Sequence, residues 1–176
     1  MNKVLKNILL LSVSVLLLTS CHSSKNFYKG VDIHELARAG VRLGFDIEYD
    51  DDMPLMIECS NWLGVPYRYG GTDKSGVDCS GLNYNIYNKV YGKKLHRRSI
   101  EQFEEDVHKV KQRKLETGNL VFFAISSNVD KKNINHTGIY LKNGNFIHAS
   151  SSRGVVVDNL NSAYFQKYFV SGGRVK

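Results

Sequence analysis

The sequence predicts an α+β domain, with N-terminal helices packed on a central antiparallel β-sheet. Three observations carry this. Apolar residues recur at helical spacing only before residue 110, whereas short, alternating or wholly apolar runs fill the chain after residue 119. Asn143-Gly144 lies between two such runs as a hairpin turn. Composition does not shift along the chain in a way that marks an internal boundary, so one domain over 31–176 accounts for helices followed by strands. The chain has 176 residues, 42% hydrophobic and 23% charged, enough for a real core and unlike a disordered chain. Three cysteines are too few for a disulfide scaffold.

In chain order, Lys3 and Lys6 precede an apolar run, Ile8 to Leu18, broken only by Ser12 and Ser14. It is shorter than the roughly 20 residues a spanning helix needs and belongs to targeting. Val31 to Phe45 places Ile33, Leu36, Ala37 and Val41 on one helical face, weakened by Gly40 and Gly44. The acidic run Asp46 to Asp52 reads as a loop or helix start, since it lacks the spacing of a 12-residue calcium loop. Leu55 to Leu63 forms a short helix stopped by Gly64, with Cys59 inside it as a free, partly buried thiol. Asp78 caps a helix to Val90 whose inward face is Leu82, Ile86, Tyr87 and Val90. Another helix starts at Ser99, where Ser99 and Gln102 have capping-box spacing and Phe103 and Val107 share a side.

The strands follow. Asn119 to Ile125 contains Leu120, Val121, Phe122 and Phe123 and reads as a buried strand. His136 to Leu141 and Asn145 to Ala149 make a hairpin, with Val155 to Val157 and Tyr168 to Val170 as further short strands. Two registers are open to the hairpin. A two-residue turn at Asn143-Gly144 places Ile139 opposite His148 and sends His136 and His148 to opposite faces. A three-residue turn through Lys142-Asn143-Gly144 pairs Leu141 with Asn145, sets Gly138 opposite His148 and brings the two histidines onto one face. Asn143-Gly144 alone favours the first; the second, or an equivalent bulge, is expected because it lets the two imidazoles meet, with Gly144 at positive φ.

Cys79, His136 and His148 stand out chemically. Cys79 follows the helix cap, where backbone amides and the helix dipole favour a thiolate, so a lowered pKa is expected. A nearby histidine then supplies the proton shuttle, and a second polar group fixes its tautomer. The three also offer metal-ligand chemistry, but they are only three and lack short ligand spacing, so neither a metal nor a cofactor is expected. The net charge of +7 comes from dispersed residues with short clusters at Lys93-Lys94, Arg97-Arg98 and Lys109 to Lys114. No nucleic-acid module accompanies them, and a solvated face is the expectation.

The words around these residues narrow the reading. Pro66-Tyr67-Arg68-Tyr69-Gly70-Gly71 precedes Gly76-Val77-Asp78-Cys79-Ser80-Gly81-Leu82. Later come Gly118-Asn119-Leu120-Val121-Phe122-Phe123, His136-Thr137-Gly138-Ile139-Tyr140-Leu141 and Phe146-Ile147-His148-Ala149. In this order they resemble the NlpC/P60 family of cell-wall cysteine peptidases, over roughly residues 55–170. The resemblance implies a papain-like fold and cleavage of an amide bond in peptidoglycan stem or cross-link peptides, involving D-Glu, diaminopimelate or D-Ala. It places the nucleophile on Cys79, the general base on His136, the orienting residue on His148 and an oxyanion donor on Tyr67. Asp78, a helix cap first, and Ser80, which fits helix-start packing equally well, are also candidate substrate contacts, and Gly70 and Gly71 would let backbone approach the substrate. Two departures bear on loop shape: Thr117-Gly118-Asn119-Leu120 and Leu95-His96-Arg97 stand where the family often has Pro-Gly-Asp-Leu and Leu-Pro-Arg.

Leu18-Thr19-Ser20-Cys21 resembles a bacterial lipobox. That implies a signal peptide over 1–20, a lipidated Cys21, a tether over 21–30 and anchoring in a bacterial envelope; together with the wall chemistry it fits an outer membrane facing the periplasm, and a monomer is expected. Rival functions are a thiol amidase or acyltransferase for another substrate, and a lipoprotein that binds wall peptides without turnover.

Overall fold

Leu120-Val121-Phe122-Phe123 is buried at every position, so this strand has core on both faces. It lies third in a six-stranded antiparallel sheet. A computed structural model describes residues 27–28, 30–125 and 133–176. Cys21 and the targeting segment lie outside the described residues. Two units divide at Ile33. In the first, β1 (Phe27–Tyr28) pairs antiparallel with β2 (Val31–Asp32) across Gly30, whose φ of +80° suits a tight turn.

α1 (Ile33–Leu43), which belongs to the second unit from His34 onward, buries Leu36, Ala39 and Leu43. Ala37 and Val41, expected inside, point out, and Val41 is 85% exposed. The buried stripe lies about a third of a turn from the predicted one because Ala39, not Ala37, meets the neighbouring surface. Asp52 caps α2 (Met53–Trp62), its Oδ1 accepting from the Leu55 amide at 3.1 Å. The acidic run is thus a loop that ends as a helix start. Cys59 is a free thiol and fully buried, more than expected, and burial pushes its pKa up. A small hairpin, β3 (Thr72–Asp73) and β4 (Gly76–Val77), leads into α3 (Cys79–Tyr91), which ends at Gly92 with φ +66°.

The helix at Ser99 is a single turn, α4 (Ser99–Glu101), running into a π-helical turn over Gln102–Asp106. The expected capping box does not form, because Gln102 is buried and donates to the Ser80 and His96 carbonyls at 3.0 and 2.8 Å. Glu101 closes the turn instead, accepting from the Arg98 amide at 3.2 Å. Val107, expected on this helix, begins β5 (Val107–Val110).

The sheet runs β5, β10 (Phe169–Val175), β6 (Leu120–Phe123), β7 (His136–Tyr140), β8 (Asn145–Ser150), β9 (Gly154–Asn159). A short α5 (Ala163–Tyr168) precedes β10, so the strand expected at Tyr168 starts one residue later and is longer. α2 packs on α3, and α3 packs on β7 and β8. Leu120, Phe122, Ile139, Leu141, Ile147 and Ala149 fill the helix side with Leu55, Leu82 and Ile86. Val121, Phe123 and Phe146 face the other way onto Leu160 and Phe165. This is an α+β fold with its N-terminal helices against a central antiparallel sheet.

Candidate active site

The nucleophile side is built from neighbours in sequence. Asp78 adopts extended backbone and its Oδ1 accepts from the Gly81 amide at 2.7 Å, which starts α3 at Cys79. Oδ2 accepts from the Gly70 amide at 2.9 Å. Arg97 then grips both oxygens, at 2.8 and 2.7 Å, and donates to the Gly71 carbonyl at 3.0 Å. Ser80 is drawn in too, its Oγ accepting from Arg97 at 3.0 Å. Asp78 is thus the helix cap it was expected to be, Ser80 packs with it at the helix start, and both line a cavity together with Cys79. Arg97 was not singled out as a site residue from sequence, because its partner lies nineteen positions away.

Gly71 also differs from expectation. A Cβ there would lie 2.2 Å from the Gly76 carbonyl oxygen, so its missing side chain admits the chain's own backbone, not substrate. The same tight loop positions Tyr67. Arg68 N–H donates to Val77 at 3.1 Å and Val77 N–H to Pro66 at 3.0 Å. Tyr67 thereby reaches the cleft beside Cys79, and among the described residues its hydroxyl has no hydrogen-bond partner. Burial raises its pKa, and Cys79 and Asp78 add to the rise.

The histidine side depends on register. Ile139 pairs with Ile147 and Tyr140 with Phe146, and the Leu141 amide donates to Asn145 at 2.8 Å. This is the three-residue turn, with φ +55° at Asn143 and +81° at Gly144. Gly138 lies against β8, where a Cβ would meet the Ile147 carbonyl oxygen at 2.5 Å and His148 Cβ at 3.0 Å. His136 and His148 consequently share a face. Their rings meet edge-on, with His136 Nε2 and His148 Nδ1 2.8 Å apart. His148 is stacked on Phe146 and lies edge-on to Phe165.

Asp158, absent from the sequence-derived set, completes the row. Its Oδ2 is 2.9 Å from His148 Nε2, and Arg153 holds the same carboxylate. The signal was parity: Val156 lies opposite His148, so Asp158, two residues on, shares its face. Burial opposes ionisation of Asp158, but hydrogen bonds from His148 and Arg153 take its carboxyl down to about 2.

Electrostatics corrects one expectation. Burial pushes the Cys79 thiol up to about 11, outweighing the Thr137, Ser80 and Cys79 amides that favour the thiolate. Burial takes His136 down to about 3, with His148 adding to the fall and Asp158 opposing it. For each group burial disfavours the charged form, and at Cys79 it outweighs the helix-terminal amides. Two adjoining cavities, of about 640 and 600 Å³, share Tyr67, Cys79 and Asn135; His136 and His148 line the larger. Among the described residues no group of three or more His, Cys, Asp or Glu is arranged to hold a metal, and no helix is long and apolar enough to cross a membrane.

A cysteine opening a helix, set against a sheet that presents a histidine pair, defines the papain-like class of α+β proteins. Comparison narrows the class: the NlpC/P60 family matches residues 64–174, and the chain belongs to that family. It is 37% identical over 121 residues to a murein DD-endopeptidase MepS/murein LD-carboxypeptidase of Escherichia coli, covering 69% of this chain and 61% of that protein. It is 35% identical over 124 residues to a probable endopeptidase NlpC homolog of Haemophilus influenzae, covering 70% and 63%. The chain thus spans less than two thirds of the length of these relatives. An NlpC/P60 family protein of Bacillus cereus superposes with a TM-score of 0.59 at 31% identity, covering 70% of this chain and 38% of that one.

Proposed function

We propose that this chain is a cysteine endopeptidase of peptidoglycan, hydrolysing an amide bond in the stem or cross-link peptide that involves D-Glu, diaminopimelate or D-Ala. The observation that carries the reading is the 2.8 Å His136–His148 contact in a cavity that Cys79 also lines. The murein peptidase activity for which the E. coli relative is named supports the substrate class.

In this reading Cys79 Sγ attacks the amide carbonyl as its proton passes to His136. Transfer concerted with attack suits a buried thiol, because no isolated thiolate has to be held beforehand. The oxyanion meets the Tyr67 hydroxyl and the Cys79 backbone N–H. Collapse breaks the C–N bond, and His136 returns the proton to the departing amine. Water, deprotonated by His136, then cleaves the thioester and restores the thiol. His148 orients His136. Asp78 acts by seating the nucleophile, and Ser80 lies against it.

The envelope setting belongs to the same proposal. Cleavage before Cys21 and lipidation of its thiol would tether a monomeric domain to a membrane, at the outer membrane facing the periplasm. Cys21→Ser should release the protein from the detergent phase without altering its circular dichroism, and an unmodified Cys21 in the wild-type mature peptide would sink the anchor.

The activity test is digestion of defined muropeptides followed by mass spectrometry. The wild type should yield products carrying one added water at a single bond, and folded Cys79→Ala should yield none. Full turnover by folded Cys79→Ala would overturn the mechanism.

A further inference from the structure

We propose that Asp158 is a positioning residue of this site: it accepts the Nε2–H of His148 and so sets the tautomer of both histidines, leaving Nδ1 of His136 unprotonated. The inference rests on the reading that His136 is the base for Cys79.

Asp158 is ionised and only accepts, so the 2.9 Å contact requires a proton on His148 Nε2. With one proton per neutral ring, His148 Nδ1 is then an acceptor. The 2.8 Å contact to His136 must therefore be donated by His136 Nε2–H. That leaves Nδ1 as the only ring nitrogen of His136 able to take a proton from Cys79. Proton direction is relayed through two rings from a carboxylate that does not touch the nucleophile.

Surrounding contacts restrict the alternatives. Phe146 and Phe165 enclose the His148 ring and oppose its rotation. Arg153 reaches both Asp158 oxygens, holding the carboxylate towards His148. His148 is 3% exposed, so solvent is a poor substitute donor or acceptor.

Asp158→Asn, made throughout together with Arg153→Ala so that no guanidinium donates to the new amide nitrogen, separates geometry from proton direction. The Asn amide can donate to His148 Nε2, which moves the His148 proton to Nδ1. That proton is then donated to His136 Nε2, and the His136 proton moves to Nδ1, facing the thiol. The cleft keeps its shape but the base is already protonated at the wrong atom. Such a tautomer error at the Asp of a Ser-His-Asp triad costs about 10⁴-fold in turnover.

The test needs no wall substrate. Long-range ¹H–¹⁵N spectra of the histidine rings should show Nε2–H on both His136 and His148 in the wild type, and Nδ1–H on both in Asp158→Asn. Iodoacetamide alkylation, mapped by mass spectrometry to the Cys79 peptide, should slow at least about 10²-fold in Asp158→Asn. Asp158→Glu should keep the wild-type tautomers and recover most of the rate. Wild-type spectra with Nδ1–H on His148 would overturn the proposal even if no variant folds, as would folded Asp158→Asn with unchanged tautomers or alkylation. Failure to cleave muropeptides would count against the proposed substrate while leaving these readouts intact.

Discussion

The two sides of the cleft are organised over different ranges of sequence. On the nucleophile side, Asp78, Cys79, Ser80 and Gly81 are consecutive, and a capping bond three residues long starts the helix. On the histidine side, His136 and His148 are twelve residues apart and Asp158 ten further, joined only because three strands pair in one register. A capped helix start tolerates small changes elsewhere, since its hydrogen bonds are local. A strand register does not, because a slip of one residue moves every side chain to the opposite face. Lys142-Asn143-Gly144 thus governs chemistry it does not touch.

This contrast is best broken at the turn. Deleting Lys142 should favour the two-residue turn and send His148 to the helix face, abolishing muropeptide turnover and perturbing the fold, because Ile147 and Ala149 would leave the core together. Retained activity with a near-native spectrum would show that register is not what unites the histidines. Next in size, Tyr67→Phe should lower kcat by about 10²–10³-fold if its hydroxyl meets the oxyanion, with little change in thermal midpoint. A fall of under about threefold would remove that role.

Gly138→Ala should push a methyl against the Ile147 carbonyl and cost about 1–3 kcal/mol of stability by urea unfolding, with His136 displaced from His148. Arg97→Ala tests the local side. It leaves the Asp78 carboxylate with backbone and Ser80 donors only and should cost about 1–2 kcal/mol, tempered because Arg97 is itself partly exposed. An unchanged urea midpoint would show the clamp to be dispensable.

Acid dependence gives the subtlest separation. His136 binds protons more weakly when folded, near 3 against an unfolded value of about 6.5. Between those values the unfolded chain holds more protons, so stability from this group is lost as pH falls from about 6.5 towards 3. His136→Gln should flatten that limb of the stability–pH curve. An identical slope in wild type and variant would mean that His136 charges as readily folded as unfolded.

The sequence by itself determined the α+β class, the cap at Asp78 and the apolar strand at Leu120. Each rests on adjacent residues or on a period of two or 3.6, both visible along a chain. It placed Cys79, His136 and His148 as candidates through ordered motifs, but not Asp158, Arg97 or β5. Val107 continued a helical pattern, and only pairing with β10 drew it into a strand. Arg97 and Asp158 depend on partners brought near by chain reversal. The direction in which the Cys79 thiol shifts was likewise decided by tertiary structure. A helix terminus favours the thiolate through local amides, whereas desolvation depends on everything packed around the sulfur, and here desolvation is the larger effect.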